Sequence, residues 1–415
     1  MPQLLLQLAV ILATARLLAL VLGRFGQPPV IGEMIAGIAL GPIVFGALAP
    51  ETHAWLFPRE KLAALEGLSE VGLVLFMFVV GAEIRAPAGA HGRFASAGWI
   101  GTLGVLLPMA LGFAIAPALH ARFAPAGIGF WPFALFMAVS MAITAFPVMA
   151  RILKDVRLTR SAIGQLALAS AAIADAFVWI VLALVVALIS AHGWGDFART
   201  LVGLVAIAAI GFGLLRPLIA TLLARHASDG KPGGAVLSLL LIGTCAMAAA
   251  TEWLGLHPVF GAFLFGACLP RDDRLLETLI ERIEHVAVLV LMPVFFALAG
   301  LGTTAEAFTG AGLSALLLIL AAAIAGKVLG GGGGARIAGL GWREAGAVGS
   351  LMNARGLMEL IVMKVGLDAG VIGFPVFTML MVMAIVTTLM TTPMLALFLR
   401  GMAPVEGAEE QQSSP

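Results

Sequence analysis

AIGQLALASAAIADAFVWIVLALVVALIS, residues 162–190, is the stretch that decides the fold. It is an unbroken run of apolar and small side chains with one charge, Asp175, near its middle. About twenty such residues suffice to cross the hydrocarbon core of a bilayer. At 1.5 Å per residue, a helix over this run carries Asp175 to the region of the bilayer midplane. A carboxylate there must be neutral, paired or hydrated, and insertion scales charge a few kcal/mol for it. Each of those conditions lets the group trade a proton for a metal cation. A hydrogen-bonded contact between helices is the competing structural reading.

The rest of the chain has the same character. Hydrophobic residues make up 61% of the 415 and charged residues 11%, with a mean hydropathy of +1.07. A soluble domain is nearer half apolar and a quarter charged, so this chain needs lipid as its solvent. The net charge is +1, which gives no field for nucleic acid. Cys245 and Cys268 both lie in apolar runs and read as packing residues. The seven histidines are scattered, none at metal-ligand spacing from a cysteine or another histidine, so no enzyme centre and no cofactor is expected. The first apolar run has no basic stretch before it and no cleavage site after it, so it reads as a span.

Apolar runs at 3–23, 29–46, 67–84, 98–119, 130–152, 162–190, 200–223, 235–254, 257–270, 284–302, 312–335, 344–366 and 373–399 predict an all-α polytopic membrane protein of about thirteen transmembrane helices. The ninth is short and follows a polar patch that includes Glu252, Trp253, His257 and Pro258. With the N-terminus outside and the C-terminus cytoplasmic, fifteen of the 24 Lys and Arg fall in inside loops and five in outside loops. That bias follows the rule that cytoplasmic loops hold the excess positive charge. Residues 1–400 are expected to form one transmembrane domain, and 401–415 a short polar cytoplasmic tail. The expected location is a cell membrane, a bacterial inner membrane.

Other charges also intrude into spans. Lys327 precedes the run Gly330–Gly334, which is either a hinge or a close helix contact. Arg355 and Glu359 are spaced i, i+4, so on a helix they share a face and can form a structural ion pair. Arg16, Glu33, Glu70, Glu83 and Arg216 lie nearer span ends, where snorkelling competes with a transport role. Two spans look interruptible. One holds Ala142-Ile143-Thr144-Ala145-Phe146-Pro147, where Pro147 removes a backbone donor. The other holds Asn353-Ala354-Arg355-Gly356. Interrupted helices in corresponding halves of a chain point to a midplane binding site. Ser140 and Thr144 supply hydroxyls near the first break, and Asp175 the negative charge, a set of oxygens suited to a hard cation.

Ser140 through Leu153 is similar to the broken-helix motif of the monovalent cation:proton antiporter-2 family. Gln27-Pro28-Pro29-Val30-Ile31-Gly32-Glu33 through Pro42 resembles that family's second span, and Leu73–Glu83, Gly255–Phe263 and Asn353–Glu359 resemble it too. The resemblance runs from about residue 5 to 400. It implies an inverted-repeat antiporter fold with two crossed interrupted helices, a core that moves against a dimer-forming part, and a homodimer. It implies exchange of Na⁺, K⁺ or Li⁺ for protons by alternating access, with Asp175 bound alternately by cation and proton and Lys327 as the basic residue of the core.

One position departs from the family. Many members carry two acids, or Asn-Asp, where this chain has Ala174-Asp175. Ala174 can neither pair with a core lysine nor carry a second proton. Stoichiometry therefore does not transfer from two-acid members. The nearest alternative is the membrane subunit of a potassium efflux system regulated by a separate cytosolic partner, since no nucleotide-binding tail follows Arg400 in this sequence. A channel would need repeated filter loops or charged rings.

Overall fold

A computed structural model describes residues 2–83, 94–156, 158–159, 161–190, 194–226, 232–270 and 273–400. The tail expected over 401–415 lies outside the described residues, as do the loop charges Arg85, Arg93, Arg157, Arg160, Lys231 and Arg271. Every regular element among the described residues is helical. In hydrocarbon a helix satisfies all its interior backbone groups within one segment, which a chain this apolar requires.

The helices are α1 (Pro2–Gly23), α2 (Pro29–Leu40), the short α3 (Phe45–Leu48) and α4 (Pro50–Leu56), α5 (Ala63–Glu83), α6 (Phe94–Phe123), α7 (Phe130–Ala142), α8 (Phe146–Asp155) and α9 (Ala162–Ser190). There follow α10 (Trp194–Ile210), which runs through a π-helical turn into α11 (Arg216–His226), then α12 (Gly234–Trp253), α13 (Pro258–Ala267) and α14 (Asp273–Leu279). Two π-helical stretches join α14 to α15 (Met292–Leu301). The last four are α16 (Gly310–Ile337), α17 (Trp342–Met352), α18 (Leu357–Asp368) and α19 (Phe374–Leu399). Among the described residues, ten helical units are long and apolar enough to cross a membrane, and α7 and α13 are shorter apolar helices. The protein is an all-helical, multi-pass membrane protein. Large side chains such as Leu17, Ile180, Val202 and Ile242 are left exposed, as a lipid-facing surface requires.

The helices pack in two groups. In the first, α1 lies on α2, α2 on α15, α15 on α5, α5 on α13 and α13 on α12. In the second, α6 packs on α16, α7 and α9, while α16 also packs on α17 and α19. There α18 rests on α7 and α19, and α8 on α9. The run Gly330–Gly334 lies within the unbroken α16, where Gly330 and Gly334 face α6 and Gly331 and Gly332 face α17. A Cβ on Gly330 would stand 2.5 Å from the Leu103 carbonyl oxygen, and one on Gly334 2.6 Å from the Ile100 Cα. Small residues let membrane helices approach this closely, so the run is a contact surface and not a hinge.

Two helical units are interrupted inside the second group. The first loses its helix at Ile143–Ala145, between α7 and α8, and Pro147 sits in the opening turn of α8. The second loses it at Asn353–Gly356, between α17 and α18. Gly356 has φ +157° there, a conformation that disfavours a side chain.

Candidate functional site

The site begins with what α7 leaves undone. Its last carbonyls have no helical N–H to accept from once the helix stops at Ala142, and they form the negative end of its dipole. Two cations from distant segments take them. Arg355 donates from Nη1 to the Ser140 carbonyl (3.2 Å) and from Nη2 to the Met141 carbonyl (2.7 Å). Lys327 donates from Nζ to the Ala142 carbonyl, to Thr144 Oγ1 (2.6 Å) and to the Gly104 carbonyl on α6 (3.0 Å). Ser140, Thr144, Lys327, Arg355 and Glu359 are all fully buried.

The two breaks touch. The Ala145 N–H donates to the Ala354 carbonyl at 3.0 Å, joining one non-helical segment to the other. Arg355 Nη1 also donates to Glu359 Oε1 at 2.8 Å, so the i, i+4 pair forms inside the second unit. The α19 helix fixes that break from behind. Thr388 Oγ1 accepts from the Arg355 N–H at 2.9 Å, and Asn353 Nδ2 donates to the Thr387 carbonyl at 3.1 Å. Ser140 Oγ, Asn353 Oδ1, Arg355 Nε and Glu359 Oε2 have no protein partner among the described residues. The Ser140 carbonyl is thus taken by Arg355, while its hydroxyl remains uncommitted.

Asp175 lies on the other side of the first break. It is 5% exposed on α9, and its carboxylate lies near the Phe146 backbone N–H at the start of α8. A helix N-terminus presents unpaired N–H groups and a positive dipole end, both favourable to an anion. Lys327 acts on Asp175 through space, since its three hydrogen bonds go to Gly104, Ala142 and Thr144. Neighbouring Ala174 is also buried and lines an apolar cavity of about 240 Å³ between α6 and α9, with Thr102, Val105, Ile173 and Phe177. The sequence signals did not reach Gly104, Met141, Thr387 or Thr388, which act through carbonyls or from a span without charge. Nor did they separate Glu33 from the span-end charges. It is buried in α2, with Arg16 and Arg151 as its charged neighbours.

The sodium/hydrogen exchanger transmembrane family matches residues 9–401. This chain belongs to that family. It is a monovalent cation/proton antiporter, a transporter and not an enzyme. The chain is similar to the Na(+)/H(+) antiporter NhaS4 of Synechocystis, with 38% identity over 93% of this chain and 94% of that one. It is 35% identical to K(+)/H(+) antiporter 1 of Saccharomyces cerevisiae over 94% of this chain and 45% of that one. With Cation/H(+) antiporter 17 of Arabidopsis thaliana it shares 35% identity over 95% of its own length and 48% of the relative's. The chain thus spans about half the length of these yeast and plant relatives. Among solved structures, the sodium proton antiporter MjNhaP1 of Methanocaldococcus jannaschii shares the fold. The TM-score is 0.65 at 15% identity, with 96% of this chain and all of that chain covered.

Proposed function

We infer that exchange in this antiporter runs through Asp175, which holds a monovalent cation in one half of the cycle and a proton in the other. The observation that carries this reading is its placement: a buried carboxylate in the middle of α9, set against the first turn of α8 where a helix is interrupted. Thr144 and Ser140 complete the oxygen set, and the ion is Na⁺ or K⁺, with Li⁺ a further candidate. The relatives' names include both Na⁺ and K⁺ exchange, in keeping with a site whose selectivity is set by detail. Lys327 and Arg355 neutralise the negative end of α7 so that the cation meets one net negative charge at Asp175. Arg355–Glu359 is a structural pair.

The two packing groups are the bodies that move against each other. Helices α6–α9 and α16–α19 form the core carrying the crossed interrupted helices, and α1, α2, α5, α12, α13 and α15 form the part that makes a homodimer. The chain crosses a bacterial inner membrane thirteen times, N-terminus outside and C-terminus cytoplasmic. With Ala174 beside Asp175, one proton exchanges for one cation and no net charge moves. Reconstituted vesicles test the reading. An imposed cation gradient should drive proton movement in the native protein and none in Asp175→Asn, and retained exchange would remove Asp175 from the mechanism.

A further inference from the structure

We propose that His257 and Asp368 form a proton-controlled contact that closes one face of the transporter, with His257 as the positioning residue. The proposal rests on the two-body reading above, because it assigns a contact between the bodies. His257 stands at the start of α13, in the first packing group, and Asp368 ends α18, in the second. The two helices rest on different neighbours, α13 on α5 and α12, α18 on α7 and α19. Across this divide His257 Nε2 lies 3.8 Å from Asp368 Oδ2, and Lys364 one turn earlier on α18 pairs with the other carboxylate oxygen, Oδ1. In the expected topology both residues lie at the outside face.

The second ring nitrogen gives the contact its switch. His257 Nδ1 accepts a hydrogen bond from the Val259 N–H at 3.5 Å, so His257 is the N-cap of α13. An accepting Nδ1 places the neutral ring's proton on Nε2, the atom facing Asp368. Protonation of Nδ1 ends the capping role, because that nitrogen becomes a donor. It also sets a positive charge at the positive end of the α13 dipole. In exchange, Nε2–H and Asp368 become a full ion pair. The neutral ring therefore caps its own helix, and the charged ring ties that helix to the other body.

Asp368 stays anionic through this change. Burial raises its pKa, but the nearby His257 and Lys364 hold it below the usual carboxylate value. The other charged groups on the elements packed here are few. Glu252 lies in the last turn of α12 and Glu66 and Glu70 near the start of α5, all exposed, while Glu83 closes the far end of α5. Helices α7 and α19 carry no charged residue. The switch thus sits on the imidazole, whose protonation decides whether Nδ1 accepts from the α13 backbone or donates.

Proteoliposomes of uniform orientation, with the pH varied only on the face that holds His257, provide the test. The readout is the ratio of variant to native exchange rate as a function of that pH. For His257→Gln the ratio should be near 1 at pH 8.5 and rise on the order of threefold by pH 6, the scale of one partly exposed ion pair. Asp368→Asn should reproduce the rise, and the double variant should add nothing to it. A flat ratio in both single variants, or a shift of equal size at every pH, would overturn the proposal, the latter marking a purely structural cap. Asp175→Asn, run in parallel, separates the claims. If that variant is inert while the His257 ratio is flat, the contact fails and the carrier reading stands. If it still exchanges, the carrier reading fails.

Discussion

At the scale of single residues, the organising fact is that both buried cations are spent on backbone carbonyls. Lys327 holds the end of α7 and Thr144 instead of forming an ion pair with Asp175. Thr144→Val removes an acceptor from a buried ammonium. Hydrogen bonds to charged groups contribute about 1.5–3 kcal/mol, so exchange efficiency should fall at least about tenfold. Thr144→Ser should restore most of it, measured as kcat/KM for cation-driven proton movement. Asp175, Lys327, Arg355 and Glu359 were all legible in the sequence, because a charge inside an apolar run is conspicuous. What each one touches was not. The carbonyls that Lys327 and Arg355 cap lie on other helices far along the chain, and a carbonyl leaves no trace in side-chain patterning. Glu33 is grouped with the span-end charges in the sequence for the opposite reason. It stands close to a span end in sequence, yet helix packing around α2 buries it.

At the scale of elements, the breaks are held by cross-bracing and not by their own caps. Arg355 ties the start of α18 to the end of α7, and Glu359 balances it. Removing one partner of a buried pair leaves an uncompensated charge, a cost of about 3–5 kcal/mol. Arg355→Met and Glu359→Leu should each lower thermal stability strongly in detergent. The double variant should be less destabilised than the sum of the two, and strict additivity would mean the pair is not coupled. Gly356→Ala meets two obstacles: a φ of +157° and Val148 Cγ2 at 3.0 Å from the new Cβ. Backbone strain of this kind costs about 1–3 kcal/mol, and a lowered melting temperature is the expected result. Proline and glycine mark both breaks in the sequence, so their places could be read there. Their meeting through Ala145 and Ala354 could not, because it depends on how two helices cross. The glycine run in α16 was open between hinge and seam until its neighbours, Leu103 and Ile100, were in view.

At the scale of the whole molecule, the proposed mechanism needs two helical bodies and one exchangeable acid. The membrane character follows from composition alone. The grouping of helices does not, since every span is apolar on most sides and periodicity cannot say which face meets protein and which meets lipid. If Lys327 keeps its proton, one acid implies one proton per cation, so transport should not respond to an imposed membrane potential, whereas moving a net charge would couple it to about 2.3 kcal/mol per 100 mV. A rate that tracks voltage in vesicles would contradict the single-acid stoichiometry. Sharing of Asp175 by cation and proton has a more direct test. Collapse of a preset pH gradient in proteoliposomes is followed as Na⁺, K⁺ and Li⁺ are added in turn to the native protein and to Asp175→Asn. Saturable collapse with at least one of these ions is expected in the native protein and none in the folded variant. Cation-dependent collapse that persists in Asp175→Asn would contradict that sharing.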